Sequence, residues 1–511
     1  LEERLAEAER RADELRYERD IEKIHADLID RQTSWFEVLI GVFALVVSVL
    51  VIFFTIRFGK AAVAEAKLEI AKARQEIAEA KQEIANVRDE IKNQLIKAQA
   101  IVDVIKQHEQ TAQGIVAGLQ PGKVPTDQED QKTLRNIADA ALRKPIRDRT
   151  KDDYKALIIV AAIDKDWKAM ESHAAAMALL FADADSESHC FALFYRGYAL
   201  GQLNRPEEAI AVYDDLIARF GDSNALALQE PEAAALVNKV VRLSQLGRHE
   251  EAIAVCDNLL ARFGDSNALA LQEQVAKALV NKEITLSQLN RPEEAIAVCD
   301  DLIARFGDSN ALALQEQVAT ALVNKGITLG QLGRSEEEIA VYDSLIARFG
   351  DSNALALQEQ VTKALVNKGV ALGQLNRSEE AIAVYDNLLA RFGDSNALAL
   401  QQQVAKALFN KGVRLSQLGR SEEEIAVYDN LIARFGDSNA LALQKLVAKA
   451  LFNTACAHAQ RRDVAAAVAA LANWADRNGK FDCDLVRTST AFNSIRDDPA
   501  FQAFLQARGC L

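Results

Sequence analysis

The sequence predicts an all-α protein: a right-handed α-solenoid of helix-turn-helix repeats, preceded by one apolar membrane helix and a coiled-coil helix. Three observations carry this expectation. Gly-Asp-Ser-Asn-Ala-Leu-Ala-Leu-Gln follows an Arg-Phe pair six times from Gly221 to Gly436, at a constant spacing of 43 residues. A fixed period of this size marks a unit too small to bury its apolar face alone, so that neighbouring copies must stack. Each period holds two runs of apolar residues at helical spacing. Upstream, Val38 to Ile56 contains no charged residue at all.

Taken in chain order, residues 1–34 read as a charged helix with weak coiled-coil character. Residues 35–58 read as a transmembrane helix, because nineteen uncharged residues extend roughly 28 Å at helical rise, near the thickness of a hydrocarbon core. Trp35, Phe36 and Phe58 fit interfacial anchors. Lysine and arginine are more frequent after the run (Arg57, Lys60, Lys67, Lys72, Arg74) than before it (Arg19, Lys23, Arg31). That bias predicts a single-pass protein of a bacterial inner membrane with the repeats on the cytoplasmic side.

Residues 59–118 read as a coiled-coil stalk. Val63, Ala66, Ile70, Ala73, Ile77, Ala80, Ile84, Val87 and Ile91 alternate in steps of three and four, then shift by a four-residue stutter onto Leu95, Ala98, Val102 and Ile105. Such a seam pairs helices, so a homo-oligomer is expected. Residues 119–152, with Pro121, Gly122, Pro125 and Pro145, read as a linker around a short polar helix. Residues 153–187 read as degenerate capping helices, 188–475 as the repeat array and 476–511 as the C-terminal cap.

Within one repeat, Leu355, Leu357, Val361, Ala364, Leu365, Val370, Leu372 and Leu375 trace the first helix, and Ser378 to Phe392 the second. Gly350 and Gly393 are placed as C′ glycines, with the following Asp or Ser available to cap the next helix. Ser335 with Glu338 and Ser421 with Glu424 have capping-box spacing, and Pro206 and Pro292 occupy the equivalent entry position.

The unit resembles the tetratricopeptide repeat, a 34-residue hairpin, here lengthened by about nine residues. The small residue at the helix crossing is Gly197, Gly326, Gly369 or Gly412, replaced by Val240 and Glu283. The alanine of the second helix is Ala209, Ala252, Ala295 or Ala381, replaced by Glu338 and Glu424. The aromatic one turn later is Tyr213, Tyr342, Tyr385 or Tyr428, replaced by Cys256 and Cys299. The usual tryptophan is Leu279, Leu322, Leu365 or Leu408, and glycine stands for the closing proline. Asp497, Asp498, Pro499 and Phe501 resemble the closing segment of many bacterial members.

Function is expected in the groove. Asn238, Asn281, Asn324, Asn367, Asn410 and Asn453 recur at one place in successive units. The resemblance implies that asparagine there faces the concave surface and hydrogen-bonds the backbone of a bound chain. An amide both donates and accepts, so it matches a peptide group without reading its side chain. The competing reading has each asparagine bonding a neighbouring helix or simply copied with its repeat. Lys239, Lys282, Lys325, Lys368 and Lys411 are expected to pair with the recurring Asp214, Asp257, Asp300, Asp343, Asp386 and Asp429 rather than to form a charged groove.

The six cysteines lack a CxxC pair and are expected as unpaired fillers in a reducing compartment. No HExxH, GxxxxGK[ST] or GxSxG occurs, so no catalytic residue, cofactor or metal is expected. A net charge of −14 disfavours nucleic acid. The expected function is a membrane-anchored scaffold that binds an extended protein or peptide segment. The alternatives are a structural self-assembling scaffold and a regulator of a separate enzyme.

Overall fold

A computed structural model describes residues 38, 41–53, 56–57, 59–119, 122, 124–182, 185–478 and 481–510, and the secondary structure among them is helical. The chain divides into two compact units, Leu1–Thr111 and Ala112–Leu511.

The larger unit is a two-layer solenoid. From Leu226 on, each first helix has 20 residues, as in Leu312–Gln331, Leu355–Gln374 and Leu398–Gln417. Each second helix has 15, as in Ser335–Phe349, Ser378–Phe392 and Ser421–Phe435. Every helix packs on the next in sequence, and every first helix also packs on the first helix of the following repeat. Successive second helices make no comparable contact. The closely stacked first helices are therefore the inner layer and the second helices the outer one.

Leu279, Leu322, Leu365 and Leu408, at the position of the family's tryptophan, are all buried, as are Leu302, Leu345, Leu388 and Leu431 on the second helices. Burying such a side chain contributes about 1.5–3 kcal/mol, and the continuous cluster they form runs across the repeats. At the crossing, residue size is matched in pairs. A Cβ on Gly326, Gly369 or Gly412 would enter the ring of Tyr342, Tyr385 or Tyr428. Where the crossing residue is Val240 or Glu283, the partner is the small Cys256 or Cys299, both buried.

The turns differ from the expected pattern. Gly350 and Gly393 have φ −54° and −52°, so they continue the right-handed helix. The left-handed position lies instead between the two helices of each repeat. Asn204, Gly247, Asn290, Gly333, Asn376 and Gly419 hold it in turn, with φ of 57–72°, the region that glycine and asparagine tolerate best. The expected capping boxes do not form: Arg334 and Arg420 are the N-caps, without side-chain caps, and Ser335 and Ser421 are already helical. Between repeats, the Ala354 amide donates to Ser352 Oγ at 3.2 Å and Gln358 Nε2 donates to the Ser352 carbonyl at 3.2 Å. This explains why Asp-Ser-Asn-Ala-Leu-Ala-Leu-Gln travels as a block. The arginine of the Arg-Phe pair reaches back one repeat, so that Arg391 and Arg434 donate to the carbonyls of Gly350 and Gly393, capping exposed helix ends.

At the N-terminal end of this unit, the stretch expected as a linker carries the helix Gln128–Arg143, whose Leu134, Ala138 and Ala141 are buried. Leu134 repeats with Ala138 and Ala141 at helical spacing, which gives the segment an apolar face despite its polar composition. At the other end, Phe492, Ile495, Phe501 and Leu505 close the array. The expectation of six unpaired cysteines fails there: Cys483 and Cys510 form a disulfide, with Cα atoms 5.3 Å apart.

In the smaller unit, the expected charged helix 1–34 and Trp35, Phe36 and Phe58 lie outside the described residues. Among the described residues no helix is long and apolar enough to cross a membrane, which overturns the expected single-pass membrane placement. Phe43, Ala44 and Val47 line a pocket with Ile70, Ala73 and Ile77 of the 59-residue helix Gly59–Ala117. The chain's own apolar run thus faces the first part of the expected stalk seam. Further on, Ile84, Val87, Ile91 and Leu95 are exposed, and no second helix covers them among the described residues.

Candidate functional site

Between consecutive first helices lies a seam, floored by the second helix that connects them. Four positions recur in each seam: a residue near the end of one first helix, two on the second helix, and the asparagine of the next first helix. All six asparagines are half-buried. Their surroundings are not uniform. Asn453 Nδ2 donates to the Tyr428 hydroxyl at 2.9 Å, and Asn324 Nδ2 donates to Glu283 Oε2 at 2.7 Å. Asn238, Asn367 and Asn410 stand by the hydroxyls of Tyr213, Tyr342 and Tyr385, each of which burial pushes above the usual phenol range and the amide draws part of the way back. Asn281 aligns with Cys256.

The lysines beside these asparagines do pair. Lys239, Lys282, Lys325 and Lys411 contact Asp214, Asp257, Asp300 and Asp386 at 2.5 Å, and Lys368 contacts Asp343. Arg291, Arg377 and Arg420 each bridge a glutamate of their own repeat and one of the preceding repeat. These pairs repeat with the period.

The seams themselves are where the repeats diverge. At the seam of Tyr385, the guanidinium of Arg414 lies against Gly373 and donates to Gln417 Oε1 at 2.9 Å. At that of Tyr213, Arg242 lies against Gly201 and donates to its carbonyl at 3.1 Å and to Gln245 Oε1 at 2.9 Å. Both seams have alanine, Ala381 or Ala209, on the second helix. At the seam of Tyr342 the arrangement is inverted: Glu338 replaces the alanine, Ala371 replaces the arginine, and a Cβ at Gly330 would stand 2.7 Å from Glu338 Oε2.

A pocket of ≈ 370 Å³ opens above this seam. One first helix supplies Ile327, Gly330 and Gln331, the next Asn367, Val370 and Gln374, and the second helix Glu338 and Tyr342. Glu338 is 7% exposed and Tyr342 is fully buried; the Tyr342 hydroxyl lies near both the Glu338 carboxyl and Asn367, but neither it nor Glu338 Oε2 forms a well-aligned hydrogen bond. Burial lifts the Glu338 carboxyl to about 6, and the nearby Tyr342 hydroxyl offsets only part of the rise. Glu424, at the seam of Tyr428, is 3% exposed and lifted by burial to about 7, with Ser416 where Gly330 stands. Glu283 shows the opposite outcome for a buried acid, since Asn324 and Ser287 donate to both of its oxygens.

Sequence reasoning placed Glu338 and Glu424 in capping boxes and missed Arg242 and Arg414. The signal was present in part as a reciprocal pattern: Ala209 and Ala381 on second helices accompany Arg242 and Arg414 on the next first helices, and Glu338 and Glu424 accompany Ala371 and Ala457, whereas Ala252 and Ala295 accompany Thr285 and Thr328. The unpaired cysteines are inert here, because burial pushes the Cys256 thiol up to about 12. Among the described residues no group of His, Cys, Asp and Glu is arranged to hold a metal ion.

Residues 196–268 and 366–440 match the tetratricopeptide repeat family. No curated protein sequence matches the chain. Among solved structures, the apo form of RapI is 10% identical, with 74% of this chain and 97% of that chain covered and a TM-score of 0.46. The apo form of the quorum sensor NprR from B. thuringiensis is 12% identical, with 74% and 99% covered and a TM-score of 0.41. A signal transduction ATPase with numerous domains and a tetratricopeptide repeat sensor, from Pyrococcus horikoshii, is 12% identical, with 74% and 55% covered and a TM-score of 0.43.

Proposed function

We propose that the tetratricopeptide array binds an extended protein or peptide segment along its inner layer, as a scaffold rather than an enzyme. One observation supports this most directly. Glu338 Oε2, Tyr342 Oη, Tyr385 Oη, Arg414 Nε and Glu424 Oε2 are buried without a well-aligned hydrogen bond, although Asn367, Asn410 and Ser416 stand near, and all five belong to three successive seams of the same face. Each such atom costs about 1–3 kcal/mol, a burden that donors and acceptors of a bound chain relieve. An extended segment presents peptide groups at about 3.4 Å per residue, so one ligand spans several seams. In this reading Asn281, Asn367 and Asn410, with Asn324 among them and Asn238 and Asn453 at the ends, meet the ligand backbone.

The test is binding of an arrayed peptide library to the wild type and to a variant with Asn281, Asn367 and Asn410 changed to Ala, after circular dichroism shows both folded. Peptides retained by the wild type and lost by the variant support the reading. A library that binds neither, or both equally, removes the asparagines from the working surface.

A second reading, self-association, is favoured by the exposed row Ile84, Val87, Ile91 and Leu95 on the helix Gly59–Ala117. A second copy of this helix would cover the row as a coiled-coil seam. Changing Ile84 and Ile91 to Lys is then expected to halve the mass found by sedimentation. An unchanged monomeric mass in both proteins would end this reading.

A further inference from the structure

We propose that the pocket above Glu338 is a subsite for a guanidinium group, the side chain of an arginine in the bound segment. This deepens the peptide-binding reading and rests on it for the identity of the ligand, though not for the chemistry of the pocket.

The protein's own arginines show what this place in the repeat accepts. Arg242 and Arg414 lay their guanidinium groups against Gly201 and Gly373, beside Tyr213 and Tyr385, and donate to Gln245 and Gln417. Gly330, Tyr342 and Gln374 are the residues at the same places in the seam of Glu338, and all three line the pocket. The glycine, phenol and amide of those seams are therefore kept, Ala371 supplies no arginine from the chain itself, and the Glu338 carboxylate stands against Gly330 where the arginine seams hold their guanidinium.

Glu338 adds what the two arginine seams lack. Its carboxylate is 7% exposed, borders the pocket and leaves Oε2 without a well-aligned hydrogen bond. It is the one charged residue in the lining, where Gln331, Gln374, Asn367 and Tyr342 are the other polar side chains. A planar cation with several donors satisfies a carboxylate oxygen, a side-chain amide oxygen and a phenol oxygen together. Ile327 and Val370 supply apolar walls for the aliphatic stem. The seam of Glu424 is a poorer candidate, since the Tyr428 hydroxyl already accepts from Asn453 and Ser416 occupies the position of Gly330.

The experiment measures binding of N-acetyl-arginine amide and its citrulline analogue by titration calorimetry at millimolar concentration, to the full chain and to its Glu338→Gln and Glu338→Ala variants. Alanine occurs at this place in other repeats, as Ala295 and Ala381, so at least one variant keeps the fold. Binding of the arginine probe to the wild type, about tenfold weaker in both variants and for citrulline, supports the subsite. No binding, or binding unaffected by the variants or by citrulline, overturns it. The same proteins are then titrated with blocked Gly-Ser peptides carrying one central Arg or Leu. If the amide binds through Glu338 but neither peptide binds more tightly than the amide, the subsite stands and the extended-segment reading fails. If both peptides bind alike and lose affinity only when Asn367 and Asn410 are changed to Ala, the groove stands and the subsite fails.

Discussion

The outer edge of the array and its inner seams follow opposite rules. On the outer edge the same Lys-Asp and Arg-Glu pairs recur repeat after repeat, from Lys239–Asp214 to Lys411–Asp386. In the seams, the residue against the glycine is an arginine, a glutamate or neither, and polar atoms are left without well-aligned hydrogen bonds. The recurring pairs hold each repeat to its neighbours. Divergence inside otherwise copied units marks the surface on which the units have separate tasks.

The largest expected effect comes from the crossing that both regions share. Gly369→Val drives a side chain into the Tyr385 ring and should cost about 3 kcal/mol. Adding Tyr385→Cys, the pairing found at Val240 and Cys256, should recover more than half of that loss in urea unfolding. A double variant no more stable than the single one would show that the Gly-Tyr and Val-Cys pairings are unrelated.

Next in size is the disulfide that closes the array beyond the last seam. Changing Cys483 and Cys510 together to Ser opens a loop with a sequence separation of 27 and should cost about 3 kcal/mol. Amide exchange should then accelerate in residues 483–510 and stay unchanged in residues 312–374. Equal acceleration in both segments would mean that the cap and the seams unfold as one.

The buried acids sharpen the comparison through pH. Glu338 and Glu424 are raised in the folded chain to about 6 and about 7, above their value when unfolded. Their contribution to stability is therefore full below the unfolded value near 4.5 and is lost as pH rises through 6 to 7. His173, which burial and Arg149 depress, acts in the opposite direction, so the useful quantity is the difference between proteins. Changing both glutamates to Gln should stabilise the chain at pH 8 by on the order of 2 kcal/mol and by much less at pH 5. An equal effect at both pH values would show that these carboxyls are not strained by burial.

The smallest effect belongs to the outer edge. Lys368→Ala breaks a pair whose aspartate is half exposed and should cost less than about 1 kcal/mol. It should also leave binding of the arginine probe unchanged. A loss of binding would extend the working surface to the charged edge.

The helical hairpin, its period and its buried leucines were legible in the sequence because stacking makes every copy repeat one apolar pattern. The Lys-Asp pairing was legible for the same reason, since both partners recur with the period. The capping boxes were misread because Ser335 and Glu338 have the right spacing, while the left-handed residue Gly333 moves the helix start to Arg334. That shift turns Glu338 into the seam instead of back to the helix end. The apolar run 38–56 has the composition of a membrane span, and composition says nothing of the Ile70, Ala73 and Ile77 face it meets. The bond between Cys483 and Cys510 depends on how two short terminal helices fold back, for which no local pattern exists.

The left-handed turns carry one more consequence. Asparagine and glycine take that position alternately, from Asn204 and Gly247 through Asn376 and Gly419. Glu338 and Glu424 both follow a glycine turn, whereas Arg242 and Arg414 both come after an asparagine turn. The two seams between them, Ala252 with Thr285 after Gly247 and Ala295 with Thr328 after Asn290, carry no charge at these places. Losing one repeat would place two like turns side by side, whereas losing two adjacent repeats together would leave the order of the turns unchanged.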